Sequence, residues 1–138
     1  MKTEVFIDTS AFYALLVKSD DAHARMAARM AAAAGARGRF VTTDYVLDET
    51  ATLLRARGLG HLVAQFLDYV LASNSCRIAW MDPGQFKAVA AFFDKHRDQP
   101  WSFTDCFSFV VMKQHSLREA LTKDEHFRAA GFATPLLD

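Results

Sequence analysis

The chain has 138 residues, enough for one domain with a real hydrophobic core. Just over half are hydrophobic (51%) and 23% are charged, which excludes a disordered chain. Sixteen basic and sixteen acidic residues give a formal net charge of zero, so no global basic field argues for nucleic acid and only a local patch could.

In chain order, the first strand is expected over 4–8 (EVFID), followed by a short helix over 11–17. Asp20 or Asp21 is placed to cap a helix ending near Gly35. A second strand reads over 39–43 (RFVTT), and Thr43 can cap a helix that ends at Gly58. Leu62, Val63, Phe66, Leu67, Val70 and Leu71 recur with helical spacing and make an amphipathic helix. A third strand is expected over 76–81 (CRIAWM). Asp82-Pro83 then reads as an N-cap with proline at the first helical position, and Phe86, Val89, Ala90 and Phe93 form the apolar stripe of that helix. Residues 104–115 make another helix, apolar nearly all round from 106 to 112. A fourth strand over 119–122, a short helix over 124–130 and a fifth strand candidate at 133–137 close the chain.

No Pro/Gly/Ser linker and no repeat divides the sequence, so one domain over 1–138 is expected. Short apolar strands alternating with helices argue for an α/β fold with a parallel sheet covered on both faces. The two cysteines, Cys76 and Cys106, have neither zinc nor disulfide-framework spacing, so a reduced, cytoplasmic compartment is expected. No signal peptide and no membrane span of about 20 apolar residues is expected. Arg25, Arg29, Arg37 and Arg39, then Arg55 and Arg57, then Lys95 and Arg97 are candidate basic patches. Each group taken alone reads as a solvated rim.

Four carboxylates stand out, and each has an ordinary explanation alone. Asp8, behind the first strand, could cap the next helix together with Ser10. Glu49 falls at the edge of its helix's apolar stripe, while Asp48 points away to water. Asp105 opens the buried helix, where the dipole favours an acid and where Ser102 or Thr104 can cap. Asp124 would be an exposed first-turn acid if Thr122 and Glu125 formed a capping box. Taken together they mean more. In an open parallel sheet, ligands gather beyond the carboxyl ends of the strands, and these four acids can converge there. Converging carboxylates repel unless some protonate or a cation joins them. An all-oxygen set suits Mg2+ or Mn2+, and no Cys/His cluster has zinc spacing.

The segments FIDTSAFYALL, DYVLDETATLLR, SFTDCFSF and LTKDEHF, in this order, resemble the PIN-domain ribonucleases and, more narrowly, the VapC-type toxins of toxin–antitoxin pairs. The resemblance covers essentially the whole chain. It implies a single PIN-like domain with a short parallel sheet flanked by helices on both faces. It puts the acidic site at Asp8, Glu49, Asp105 and Asp124, with Ser10 and Thr104 as supporting hydroxyls. Asp8 and Asp105 would be the usual metal ligands, with Glu49 and Asp124 closing the site directly or through water. The family implies cleavage of RNA phosphodiester bonds, a cognate antitoxin as partner and a homodimer. Asp44 departs from the pattern, since a neutral polar residue such as Asn is expected there. His126 beside Asp124 matches a family feature, and packing or capping explains it.

Two other readings remain at this stage. A haloacid-dehalogenase-like phosphatase also starts with an apolar strand and Asp, but needs a second acid two residues later, where this chain has Ser10. A catalytically silent PIN-like binding protein would be expected to have a broken acid set, and this one is intact. The apolar face of residues 60–73, with Phe12, Tyr13 and Leu16, is the expected dimer surface.

Overall fold

The computed structural model describes residues 4–138. Residues 1–3 of the expected domain lie outside it. Four parallel strands form one sheet: β1 (Glu4–Ile7), β2 (Arg39–Thr43), β3 (Cys76–Ala79) and β4 (Ala120–Leu121), in the order β3-β2-β1-β4. Seven α-helices accompany them among the described residues: α1 (Thr9–Leu16), α2 (His23–Gly35), α3 (Asp44–Ala56), α4 (Val63–Ala72), α5 (Pro83–Lys95), α6 (Phe103–Gln114) and α7 (Glu125–Ala129). The fold is α/β, with helices on both faces of the sheet. Adjacent residues Phe6 and Ile7 point to opposite faces and both are buried, as that layering demands.

The order of the strands creates the crevice. The chain moves outward from β1 to β2 to β3, then returns to the far side of β1 as β4. The direction of winding reverses between β1 and β4, and such a reversal opens a cleft at the carboxyl ends of the strands. Asp8 follows β1, and Thr122 to Asp124 follow β4.

Local chemistry fixes several helix starts as expected. The Thr43 hydroxyl accepts from Val46 N at 3.0 Å, and the Asp82 carboxylate accepts from Gln85 N at 2.7 Å ahead of Pro83. Asp44, the departure from the family pattern, accepts from Met81 N at 3.1 Å and so ties the start of α3 to the chain leaving β3. Asp20 does not cap α2 directly. Its carboxylate accepts from Ala22 N, and the helix starts at His23 without a side-chain cap. The fifth strand candidate is not a strand. Glu119 and Ala133 share one parallel bridge, and Pro135–Leu137 is a 3₁₀ turn, where proline at the first position lacks the N–H a strand would need.

The core beneath the cleft is aromatic. Phe109 on α6 is fully buried and meets Phe127 on α7 edge to face at 4.9 Å, Trp101 at 5.0 Å and Phe132 at 5.7 Å between ring centroids. These contacts set α7 against α6. Tyr45 on α3 packs edge to face on Phe107 at 5.2 Å and thereby sets α3 against α6. Phe109→Ala should therefore destabilise the protein by about 3–5 kcal/mol, the usual cost of deleting a buried Phe ring. Lys87→Ala, at an exposed position of α5, should stay within about 0.5 kcal/mol. Urea unfolding of both variants checks this contrast.

Candidate metal-binding carboxylate site

Asp8 occupies the N-cap position of α1, and its carbonyl accepts from Ala11 N and Phe12 N at 3.1 Å each. Its side chain makes no cap hydrogen bond. The ordinary explanation of this acid therefore fails: the backbone caps the helix and the carboxylate is directed elsewhere. It accepts from the Thr122 hydroxyl at 2.9 Å and is only 5% exposed.

Thr122 is the junction of the two loops. Its oxygen also accepts from Asp124 N at 2.9 Å and lies 3.3 Å from the Ser10 hydroxyl. Since the Thr122 proton goes to Asp8, Ser10 must be the donor in that contact. Ser10 in turn accepts from Lys123 N at 2.7 Å. Ser10 is a hydroxyl that pins the loop after β4 to the start of α1. Thr122 is the residue that sequence reasoning missed, because it reads as a helix cap. The available signal is a hydroxyl at the end of a buried strand, two residues before an acid.

Asp105 takes part in a capping box with Ser102. The Ser102 hydroxyl accepts from Asp105 N at 3.0 Å, and Asp105 Oδ2 accepts from Ser102 N at 3.1 Å. The same Oδ2 lies 3.1 Å from His126 Nδ1. Asp124 is the N-cap of α7, not a first-turn acid as the Thr122/Glu125 box would make it. Its Oδ1 accepts from His126 N at 2.9 Å and lies 3.4 Å from His126 Nδ1. Asp105, Asp124 and His126 offer ligand atoms within 4.8 Å of one another. Asp105 Oδ1 and Asp124 Oδ2 receive no hydrogen bond among the described residues.

Glu49, at the edge of the apolar stripe of α3, is exposed, with its head in solvent. It still acts on Asp8 through space, as does Asp105. With Asp48, Thr52, Leu53, Ala56 and Thr104 it lines an open depression of about 440 Å³. Asp48, exposed to water as its place on the helix implies, shares this surface with Glu49. Among the described residues, Thr104 supports no acid by a side-chain hydrogen bond; its carbonyl accepts from Ser108. Asp8, Glu49 and Asp105 are close enough to interact electrostatically, while Asp124 is tied to Asp8 through Thr122 and to Asp105 through His126.

Burial, foremost, then the charges of Glu49 and Asp105, push the Asp8 carboxyl up to about 7, against the Thr122 hydrogen bond and the Thr9 amide. Such a group needs a proton or a cation. The donors are carboxylate oxygens, the chemistry that hard divalent ions prefer. Cys106, next to Asp105, is no nucleophile: burial and the Asp105 charge push its thiol up to about 11. A cavity of about 480 Å³ between α1 and α4 holds none of the four acids and is apolar.

A PIN-domain family model matches residues 5–133. The chain is 32% identical to the 23S rRNA-specific endonuclease VapC20 of Mycobacterium tuberculosis over 128 residues, 93% of this chain and 95% of the relative. It is 31% identical to a VapC ribonuclease of Archaeoglobus fulgidus over 114 residues, 81% of this chain and 72% of the relative. The crystal structure of M. tuberculosis VapC20, described as a sarcin–ricin-loop-cleaving toxin, superposes with a TM-score of 0.81 at 29% identity, covering 94% of this chain and 96% of that one. FitAcB from Neisseria gonorrhoeae matches with a TM-score of 0.56 at 17% identity, over 94% and 95% of the two chains, a likeness of fold alone.

The raised Asp8 value has a testable sign. The native state binds this proton more tightly than the unfolded chain, whose value is near 3.8. The resulting stability is full below that value and is lost as pH rises through about 7. In EDTA, Asp8→Asn should therefore match wild type near about pH 4 and exceed it in melting temperature near about pH 8. Thermal unfolding at the two pH values gives the comparison, and a constant difference would separate Asp8 from the effect.

Proposed function

The chain belongs to the PIN-domain family, and from that premise we propose that it is a divalent-metal-dependent endoribonuclease, the toxin of a type II toxin–antitoxin pair. The observation that carries this reading is the buried Asp8 carboxylate, which feels the charges of Glu49 and Asp105 and is linked to Asp124 through Thr122. The ribonuclease names of two VapC relatives and the toxin description of the VapC20 structure support it.

Asp8 and Asp105 are assigned as metal ligands, with Glu49 and Asp124 closing the site directly or through water. Mg2+ and Mn2+ are the cations that fit an open, oxygen-only set. Such a cation, when bound, neutralises a scissile phosphate and makes a coordinated water more acidic. The chain's own part is positional. Thr122 and Ser10 hold Asp8, the capping box holds Asp105, and the N-cap hydrogen bond holds Asp124. Glu49, at the open rim, is placed to orient a water or a substrate. No side chain is needed as nucleophile, so no covalent intermediate forms. The open depression beside Glu49 suits a polymer better than a small metabolite.

The reading includes assembly and place. A cognate antitoxin and a homodimer are proposed partners, with the apolar face of α4 and the nearby Phe12 and Leu16 as the surface for the dimer. Two free cysteines fit a reducing cytoplasm. No helix among the described residues is long and apolar enough to cross a membrane.

Cleavage of single-stranded and structured RNA, including a sarcin–ricin-loop RNA, with Mg2+, Mn2+ or EDTA tests the enzyme. Asp8→Asn, Glu49→Gln, Asp105→Asn and Asp124→Asn should each lose at least about a hundredfold in rate. Asp68→Asn, on the exposed side of α4, should be nearly silent. Activity that persists in EDTA or in Asp8→Asn would refute the mechanism, and hydrolysis of small monoesters without RNA cleavage would favour a phosphatase. Sedimentation at micromolar concentration should show a dimer, and a monomer alone would remove that element.

A further inference from the structure

We propose that His126 is a positioning residue of the metal site: its Nδ1–H donates to Asp105 Oδ2, beside Asp124 Oδ1, and helps fix which oxygen of each carboxylate is free for the cation. This rests on the metal-dependent reading above. His126 Nδ1 lies 3.1 Å from Asp105 Oδ2 and 3.4 Å from Asp124 Oδ1. Both of those oxygens are already engaged by the backbone, Oδ2 by Ser102 N and Oδ1 by His126 N. The ring therefore adds to the tethered side of each carboxylate and leaves Asp105 Oδ1 and Asp124 Oδ2 without a hydrogen bond among the described residues.

The chemistry favours a donor over a ligand. Both neighbours of Nδ1 are acceptors, so that nitrogen carries a proton, and a protonated nitrogen cannot hold a metal. Hard divalent ions prefer the oxygens. Asp105 opens α6 and Asp124 precedes α7, two helices whose relative position rests on Phe109 and Phe127. His126 is the polar counterpart of that packing, one residue before Phe127. It joins the two helix starts at the level of the site, and a partner that orients a ligand in this way commonly changes metal affinity about 10–100-fold when removed.

The test is Mn2+ binding to the full chain, by calorimetry and by the electron-spin-resonance signal of free Mn2+. Variants are His126→Ala, His126→Asn and the control Glu125→Ala, at an exposed position of the same helix. Asn places an amide N–H where Nδ1 stands. His126→Ala should weaken binding at least about tenfold, with the melting temperature in EDTA little changed because the side chain is 36% exposed. His126→Asn should stay within a few-fold of wild type, as should Glu125→Ala. RNA cleavage by His126→Ala should recover at high Mn2+, with the KM for RNA unchanged. If His126→Ala binds Mn2+ as wild type does, the positioning role is wrong while the nuclease reading stands. If Asn is as weak as Ala, a positioning N–H is likewise excluded. If wild type itself binds no Mn2+, both readings fall.

Discussion

A carboxylate at the buried end of a parallel sheet is the constraint on which the rest of the cleft depends. Asp8 sits where β1 runs into α1, and its side chain has left the helix cap to the backbone. Nothing in an apolar core solvates it, so the surrounding chain must supply hydrogen bonds, and something beyond the chain must supply charge. Thr122 gives the first. Its hydroxyl also receives Asp124 N and contacts Ser10, so one buried oxygen couples the loops after β1 and β4. Those are the two strands between which the winding of the sheet reverses. The topology makes the cleft, and the hydroxyl pair holds its two lips at a fixed separation.

Helix starts make the clustering of negative charge tolerable. Asp8 precedes α1, Asp105 lies in the first turn of α6, and Asp124 caps α7. Each acid lies where free N–H groups and the helix dipole favour negative charge, typically by about 0.3–1 kcal/mol at an exposed site. These contributions are small beside the burial that drives the Asp8 carboxyl upward. They reduce the repulsion among the acids without removing it. The remainder is met by a proton on Asp8 or by a cation, so the burial of Asp8 and the affinity of the cleft for positive charge have one physical origin.

Much of the fold was legible because short apolar strands and capped helices announce themselves. Thr43, Asp82-Pro83 and the apolar run 106–112 led directly to observed elements. The four acids were legible as candidates through their place after strands and at helix starts. What the sequence could not show is which oxygen each acid commits. Asp8 and Asp124 exchange the expected roles: the residue read as a cap does not cap with its side chain, and the residue read as a first-turn acid does. Thr122 was read as a cap and became an anchor, since only the pairing of β4 with β1 brings it to Asp8. The segment 133–137 misled for a local reason, an apolar run broken by Pro135.

Lys123 shows how the same geometry separates nuclease from phosphatase chemistry. It stands between Thr122 and Asp124, where a cation could neutralise the acids without any metal. Its ammonium instead reaches Asp20 at 3.1 Å and Asp21 at 2.5 Å, on the loop before α2. These two acids hold it charged, and its own backbone N–H is spent on Ser10. Ser10 in turn fills the position where a dehalogenase-like enzyme would need its acid–base carboxylate, and its hydroxyl is committed to Thr122 and Lys123. Both groups that phosphatase chemistry would require are thus either absent or engaged in holding the loops. What remains free in the cleft is carboxylate oxygen, the donor that a hard divalent cation prefers.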